Sequence, residues 1–197
     1  MADPKLDNEK ISMDIVTGSM YSLNLLRYLT VAIFNPQLKS LSIGEFYEQW
    51  LKKCKHPQRL TPYSLGSIMG YLYCGILLAK EQWYDLLPDE RIDQAHHAWG
   101  FSSATYTSPK KQNPSIKDAI RRMRNALGHG NILFNVPSDL GKNRKDELEF
   151  EKRVTIKFFD KNKKDHADTF EIEMPLLHLT MMVKRFHAIA YQQVIKK

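Results

Sequence analysis

The sequence predicts a mainly α-helical protein, a bundle of about five helices with one β-hairpin inserted before the last helix at about residues 147–174. Two observations lead to this class. Apolar residues recur every three or four positions over most of the 197 residues, which is the period of an amphipathic helix. Near residues 148–173 the pattern changes to alternating and β-branched residues around a charged turn, which is typical of a hairpin. This length, with 43% hydrophobic residues, predicts a single domain over residues 1–197.

The first two helices are indicated by their periodicity and by their ends. A helix from about residue 10 to residue 34 carries apolar residues at helical spacing and stops at Asn35-Pro36. A second helix begins after Ser42, because Ser42 and Glu45 have the spacing of a capping box. We expect it to end before His56-Pro57.

The middle of the chain contains the most apolar helix. Thr61-Pro62 has the form of an N-cap followed by proline, and the apolar run continues to about Leu87. Because this helix is apolar on nearly all sides, we expect it at the centre of the bundle. A weaker helical stretch is predicted over residues 90–99 and a surface loop over residues 100–113.

Two further helices flank the hairpin. Asn113-Pro114 opens a helix whose apolar stripe ends near Leu127, where Gly128 can take the left-handed conformation that terminates a helix. The closing helix is expected to begin at Met174-Pro175. Residues 132–134 are apolar and would either cover an interface or fill the core.

Charge and composition bear on partners and location. A formal charge of +7 and a pI near 9.3 suit a polyanionic partner such as RNA. The two cysteines form no disulfide framework, and the first ten residues are too polar for a secretion signal. The longest apolar stretch, residues 68–79, is too short to span a bilayer. We therefore expect a cytoplasmic protein with no membrane association.

The strongest chemical signal lies in residues 121–131. Arg124 and Asn125 fall in the last turn of a predicted helix, and His129 follows between two glycines, where it is free to fold back toward Arg124. An imidazole with a pKa of about 6.5 can act as acid or base near neutral pH. A guanidinium keeps its proton, and its fork of donors fits a phosphate. Such a pair can cleave a phosphodiester without a metal ion.

At this segment the sequence resembles the HEPN superfamily, whose signature is Arg, four to six residues, then His, often with Asn directly after the Arg. Arg124, Asn125 and His129 match that signature. The resemblance implies a HEPN-like bundle and a metal-independent endoribonuclease with no cofactor. The RNA 2′-hydroxyl would attack the adjacent phosphate, leaving 2′,3′-cyclic phosphate and 5′-hydroxyl ends. His129 would move the proton, Arg124 would stabilise the developing charge, and Asn125 would orient one of them.

The resemblance also implies partners. Many members act as homodimers in which the motifs of two protomers face each other in one cleft. A toxin or phage-defence effector is the biological role that fits, with an antitoxin protein as a candidate partner. Because Lys117, Arg121 and Arg122 flank the motif, we expect them to contact the RNA backbone.

Two other functions stay open. A non-catalytic HEPN module would bind RNA or nucleotides, although such a module has no need of His129. In a helical interaction protein the motif would be accidental, with His129 as a helix cap. Arg91 and His96 repeat the spacing, but an apolar residue follows Arg91 where the superfamily prefers a polar one.

A zinc site is the remaining alternative. Its candidate ligands are Cys54, His56, Cys74, His96 and His97. These residues lack the paired spacing of zinc ligands, so we expect no metal.

Overall fold

The computed structural model describes residues 4–55, 64–140 and 147–194. The chain is mainly helical with one small antiparallel sheet, which confirms the predicted fold class. It forms two compact units, one spanning residues 1–71 and the other residues 72–197. The prediction of one domain over residues 1–197 stays a prediction.

The first unit is helical. It contains α1 (Pro4–Phe34), α2 (Pro36–Lys39), α3 (Ile43–Cys54) and most of α4 (Leu65–Leu72). Asn35-Pro36 ends α1 as predicted and also begins α2, because the Asn35 side chain accepts a 2.9 Å hydrogen bond from the backbone N–H of Gln37. The predicted capping box of Ser42 and Glu45 is present at the start of α3.

Aromatic side chains join α1 and α3 within this unit. The rings of Tyr28 and Phe46 stack with centroids 5.0 Å apart. Trp50 is buried, and its indole N–H donates to the Asn24 side-chain oxygen over 3.0 Å. The predicted end at His56-Pro57 and the predicted cap at Thr61-Pro62 lie outside the described residues.

The second unit combines helices with the sheet. Its elements are a π-helical turn (Tyr73–Leu78), α5 (Ala79–Trp83), three 3-10 turns (Tyr84–Leu86, His97–Trp99 and Phe101–Ser103), β1 (Thr105–Thr107), α6 (Ile116–Gly128), β2 (Ile132–Asn135), α7 (Glu147–Arg153), β3 (Thr155–Lys161), β4 (Thr169–Pro175) and α8 (Leu176–Val194). The helical run predicted up to residue 87 therefore ends at residue 86, but as a succession of π, α and 3-10 turns. A side chain at Gly75 would collide with Val183, so glycine lets the π turn approach α8 closely.

The helix predicted over residues 90–99 is wrong. The carbonyl of Glu90 accepts from the N–H of Ile116 over 2.8 Å, and the N–H of Ile92 donates to the carbonyl of Pro114 over 3.0 Å. These bonds form an isolated antiparallel bridge between Arg91 and Ser115 at the start of α6, and residues 92–94 form a turn. The loop predicted over residues 100–113 contains β1 as well, because Tyr106 pairs with Ile172 of β4.

The sheet has four antiparallel strands in the order β1-β4-β3-β2. The predicted hairpin is its centre, formed by β3 and β4 in a register that pairs Phe158 with Ile172. Residues 147–153 form α7 and not the first part of a strand. Ile132 and Phe134 of β2 are half-buried while Leu133 is exposed, so the strand borders the core.

Helix α6 packs against β3 at the centre of the second unit. Its N-cap is Ser115, two residues later than predicted, because Ser115 and Asp118 form a capping box. The predicted stripe of apolar side chains is buried, which fixes the rotation of the helix. Its members are Ile116, Ala119, Ile120, Met123 and Leu127.

The closing helix α8 begins at Leu176, because Met174-Pro175 completes β4. Its predicted apolar face is buried at six of its seven positions, Leu176, Leu179, Met182, Val183, Phe186 and Ala190. Among the described residues, no helix is both long enough and apolar enough to cross a membrane.

Candidate active site

The motif segment ends α6 in a fixed backbone arrangement. The N–H of Asn131 donates to the carbonyl of Ala126 over 2.8 Å, and the N–H of Gly130 donates to the carbonyl of Leu127 over 3.1 Å. These two bonds form a Schellman motif. Its left-handed residue is Gly130, with φ of 68°, and not Gly128 as predicted. Gly128 instead belongs to the last helical turn.

Arg124 lies one turn before the end of the helix and is held at one edge. Its Nη2 is 2.8 Å from Oε1 of Glu81 in α5. Its Nη1 is 3.9 Å from the point at which a side chain on Gly128 would begin. Its Nε is buried and makes no hydrogen bond within the described residues. Because the side chain is still 32% exposed, donors of the fork remain accessible to a ligand.

His129 occupies the C-cap position of α6. Its backbone N–H donates to the carbonyl of Asn125 over 3.0 Å, and its side chain is exposed. Across the part of the chain that the structure describes, its imidazole has no hydrogen-bond partner. The backbone of His129 is thus fixed, while both ring nitrogens are open to exchange protons with a bound molecule.

Comparison with known proteins places the chain in a family. A model of the family HEPN pEK499 p136 matches residues 2–197. The chain belongs to this HEPN family. No curated protein and no solved structure matches the chain. Membership indicates a ribonuclease-like or nucleotide-binding module.

The Asn of the HEPN motif points toward the sheet. The Nδ2 of Asn125 donates to Oδ2 of Asp160 in β3 over 3.4 Å, while its backbone carbonyl accepts the N–H of His129. Asp160 is buried. Asn125 therefore connects the helix end to β3 through its side chain and contacts His129 through its backbone.

Arg122 lies on the same side as Asn125 and is enclosed by carboxylates. Its Nη1 is 2.8 Å from Oδ2 of Asp160, its Nη2 pairs with Asp168, and only 14% of the side chain is exposed. A hydrogen bond from Asn162 and the adjacent Arg122 guanidinium lower the pKa of Asp168. We therefore propose a structural role for Arg122 in place of the RNA contact expected from the sequence.

Lys117 and Arg121 share a helical face with Arg124, since the three positions are spaced by four and three residues. The Nζ of Lys117 lies 4.8 Å from the centroid of the Tyr84 ring, and Arg121 pairs with Asp118 at 3.3 Å. Both basic side chains remain partly or largely exposed. They continue the positive face of the HEPN motif toward the start of α6.

Sequence reasoning missed the residues of α5 and the following turn that border this face. Glu81 contacts Arg124, while Lys80 and Lys117 both lie over the ring of Tyr84. Nothing in the local sequence distinguishes Glu81 from other acidic helix residues. Only the packing of α5 beside α6 reveals its role.

Of the five residues considered for a zinc site, His56 lies outside the described residues. Within the described ranges, no group of three or more His, Cys, Asp or Glu side chains could hold a metal ion. Cys54 is half-buried, Cys74 is exposed, and both thiols are free. Burial raises the pKa of the Cys54 thiol.

Proposed function

We propose that this HEPN protein is a metal-independent endoribonuclease. The observation that supports the proposal best is the presence, near the end of one helix, of a partly exposed guanidinium and an exposed imidazole that has no hydrogen-bond partner among the described residues. The guanidinium of Arg124 offers donors to a phosphate. The imidazole of His129 is the group proposed to transfer the proton. These are the two functions that phosphodiester cleavage by an internal hydroxyl requires.

The proposed reaction is an internal transfer within the RNA. The 2′-oxygen forms a bond to the adjacent phosphorus while the bond from phosphorus to the 5′-oxygen breaks. His129 accepts the proton of the 2′-hydroxyl, and the leaving 5′-oxygen takes up a proton. Arg124 stabilises the charge that develops on the non-bridging phosphate oxygens. The products are a 2′,3′-cyclic phosphate and a 5′-hydroxyl end.

RNA binding is proposed along the basic face that leads to the motif. Lys117 and Arg121 would contact phosphates without reading sequence, which makes binding dependent on salt concentration. We place this activity in the cytoplasm, as a toxin or phage-defence effector. An active ribonuclease endangers its own cell, which is why an antitoxin protein belongs to the proposal as a partner.

A homodimer is the proposed active form. A second copy would contribute a second His129, so that one imidazole accepts the proton while the other donates one. Leu133 of β2, which follows the motif closely in the sequence, is exposed and available for such an interface. Sedimentation equilibrium should give twice the 23.0 kDa mass of one chain.

The test is cleavage of end-labelled single-stranded RNA and of total tRNA in excess EDTA. Wild type is compared with Arg124→Ala and His129→Ala. Matched controls are Arg185→Ala and His187→Ala, which remove exposed side chains of α8. We expect wild type and both controls to leave cyclic phosphate ends, and both motif variants to lose cleavage.

Two results would contradict the proposal in different ways. A folded wild type that binds RNA and cleaves none would favour the non-catalytic binding module. Cleavage by either motif variant at the wild-type rate would show that the reaction takes place elsewhere.

A further inference from the structure

Glu81 contacts the HEPN motif without belonging to it. Its Oε1 lies 2.8 Å from Nη2 of Arg124, and this ion pair joins α5 to α6. Lys80 approaches the same oxygen at 3.4 Å. The carboxylate thus occupies one edge of the guanidinium and leaves Nη1, beside Gly128, for other partners.

This ion pair contributes little to stability. The side chain of Glu81 is 48% exposed and that of Arg124 is 32% exposed, so water screens their attraction. Exposed pairs of this kind are commonly worth less than about 1 kcal/mol. What the contact restricts is the orientation of a long side chain that otherwise samples many rotamers.

Neighbouring contacts show that the helical segment from the π turn into α5 packs one face against the C-terminal end of α6. The hydroxyl of Tyr73 donates to the carbonyl of Leu127 over 3.3 Å. A side-chain methyl of Leu77 lies 3.8 Å from the point at which a side chain on Gly128 would begin. Glu81 is the next residue at four-residue spacing, and it reaches Arg124.

We propose that Glu81 is a positioning residue for Arg124. The carboxylate fixes the plane of the guanidinium before RNA binds, so that its remaining donors meet the phosphate as charge develops. This inference rests on the proposed ribonuclease function. A group that improves alignment in the transition state contributes to kcat and not to substrate binding.

The experiment measures kcat and KM separately for wild type, Glu81→Gln and the control Asp89→Asn. Asp89 is an exposed carboxylate eight residues further along the chain. We expect Glu81→Gln to lower kcat roughly tenfold or more, with KM changed less than about twofold. RNA with 2′-O-methyl groups lacks the attacking hydroxyl and is not cleaved. Glu81→Gln should bind this RNA as tightly as wild type does. Asp89→Asn should keep the wild-type kcat.

A double-variant cycle separates positioning from a general structural effect. If Glu81 acts through Arg124, adding Glu81→Gln to Arg124→Ala should cause no further loss in single-turnover cleavage with enzyme in excess. Thermal melts of all variants should coincide with wild type within about 2 °C, as expected for an exposed ion pair. Glu81→Ala serves as a second substitution with the same expected result.

Several results would overturn the inference. An unchanged kcat in Glu81→Gln would show that the carboxylate is dispensable. A raised kcat, or tighter binding of the methylated RNA, would show that Glu81 competes with the phosphate for Arg124. Multiplied losses in the double variant would show independent roles. A wild type that cleaves no RNA would instead overturn the proposed function, and this inference with it.

Discussion

Arg122 and Arg124 are two residues apart on α6, and they lie in opposite kinds of environment. Arg122 faces the sheet, is 14% exposed, and is enclosed by Asp160 and Asp168. Arg124 faces α5, is 32% exposed, pairs with Glu81, and has a buried Nε without a partner among the described residues. Two residues advance a helix by about 200°, so neighbouring arginines point to nearly opposite sides.

The comparison shows how one basic helix can carry a structural cation and a chemically available one. A buried guanidinium must be matched by carboxylates, because an unpaired buried charge is costly. A guanidinium that binds a ligand must keep donors free. On the side of α6 that faces the sheet (the closed side), the guanidinium is therefore fully paired with carboxylates. On the side that faces α5 (the open side), some guanidinium donors remain accessible to a ligand.

The largest expected effect is on catalysis at the open side. Arg124→Ala should lower cleavage about 100- to 1,000-fold, the usual loss when one transition-state donor is removed. Its free energy of unfolding should change by less than about 1 kcal/mol, because the pair with Glu81 is exposed. Single-turnover kinetics and urea unfolding measure the two quantities, with Arg185→Ala as control. A large loss of stability in Arg124→Ala would show that Arg124, like Arg122, has a structural role.

The closed side should show the reverse pattern. Arg122→Ala leaves Asp160 and Asp168 without their shared cation, which should lower the free energy of unfolding by about 3 kcal/mol. Urea unfolding measures this change. Arg121→Ala is the matched control, because it removes an exposed ion pair and should cost less than about 1 kcal/mol. Equal changes in the two variants would mean that the Arg122 network is as weak as a surface pair.

A smaller effect concerns the backbone that fixes His129. Gly130→Ala forces a side chain into a left-handed conformation and should cost about 1–2 kcal/mol, although the space around it is open. Gly128→Ala has ordinary helical geometry and no close contact, so it should be neutral or slightly stabilising. Thermal unfolding compares the two variants. An equal loss in both would refute the assignment of Gly130 as the left-handed residue.

The smallest effect is the acid dependence of the closed side. The pKa of Asp168 is lowered in the folded chain, so the unfolded chain takes up the proton first as the pH falls. Its contribution to stability is complete above the unfolded value of 3.8 and is lost as the pH falls through the lower folded value.

Asp168→Asn tests this dependence by urea unfolding at about pH 7, 5 and 3. The variant should be less stable at neutral pH and should lose less additional stability on acidification. Asp85→Asn, which removes an exposed carboxylate, should follow the wild-type profile. An Asp168→Asn profile parallel to that of wild type would show that this carboxylate is unperturbed.

The periodic parts of the fold could be predicted from the sequence, because long amphipathic helices repeat one signal many times. Helices α1, α3, α6 and α8 and the β3–β4 hairpin belong to this group. Strands β1 and β2 could not be predicted, because three or four residues are too few to show a detectable alternation of apolar and polar side chains. β1 also pairs with a strand more than sixty residues away, and only the folded chain shows that contact.

The site divides in the same way. The spacing of Arg124 and His129 is local, so the sequence alone was sufficient to select them as the motif pair. The pairing of Arg122 with carboxylates was not predictable, because Asp160 and Asp168 come from the β3–β4 hairpin, which is distant in the sequence. Glu81 is equally remote, since it comes from a helix more than forty residues earlier.

The π turn at Tyr73–Leu78 has a consequence for the angles at which these groups meet. In an α-helix, every fourth residue overshoots a full turn by about 40°, so Glu81 would stand about 80° round from Tyr73. A π turn rotates the chain by a smaller angle per residue than an α-helical turn does, so it reduces this offset. The hydroxyl of Tyr73, the methyl of Leu77 and the carboxylate of Glu81 can therefore all reach α6. If the same residues formed a regular α-helix in place of this turn, the carboxylate would rotate away from the guanidinium while every residue of the motif stayed unchanged.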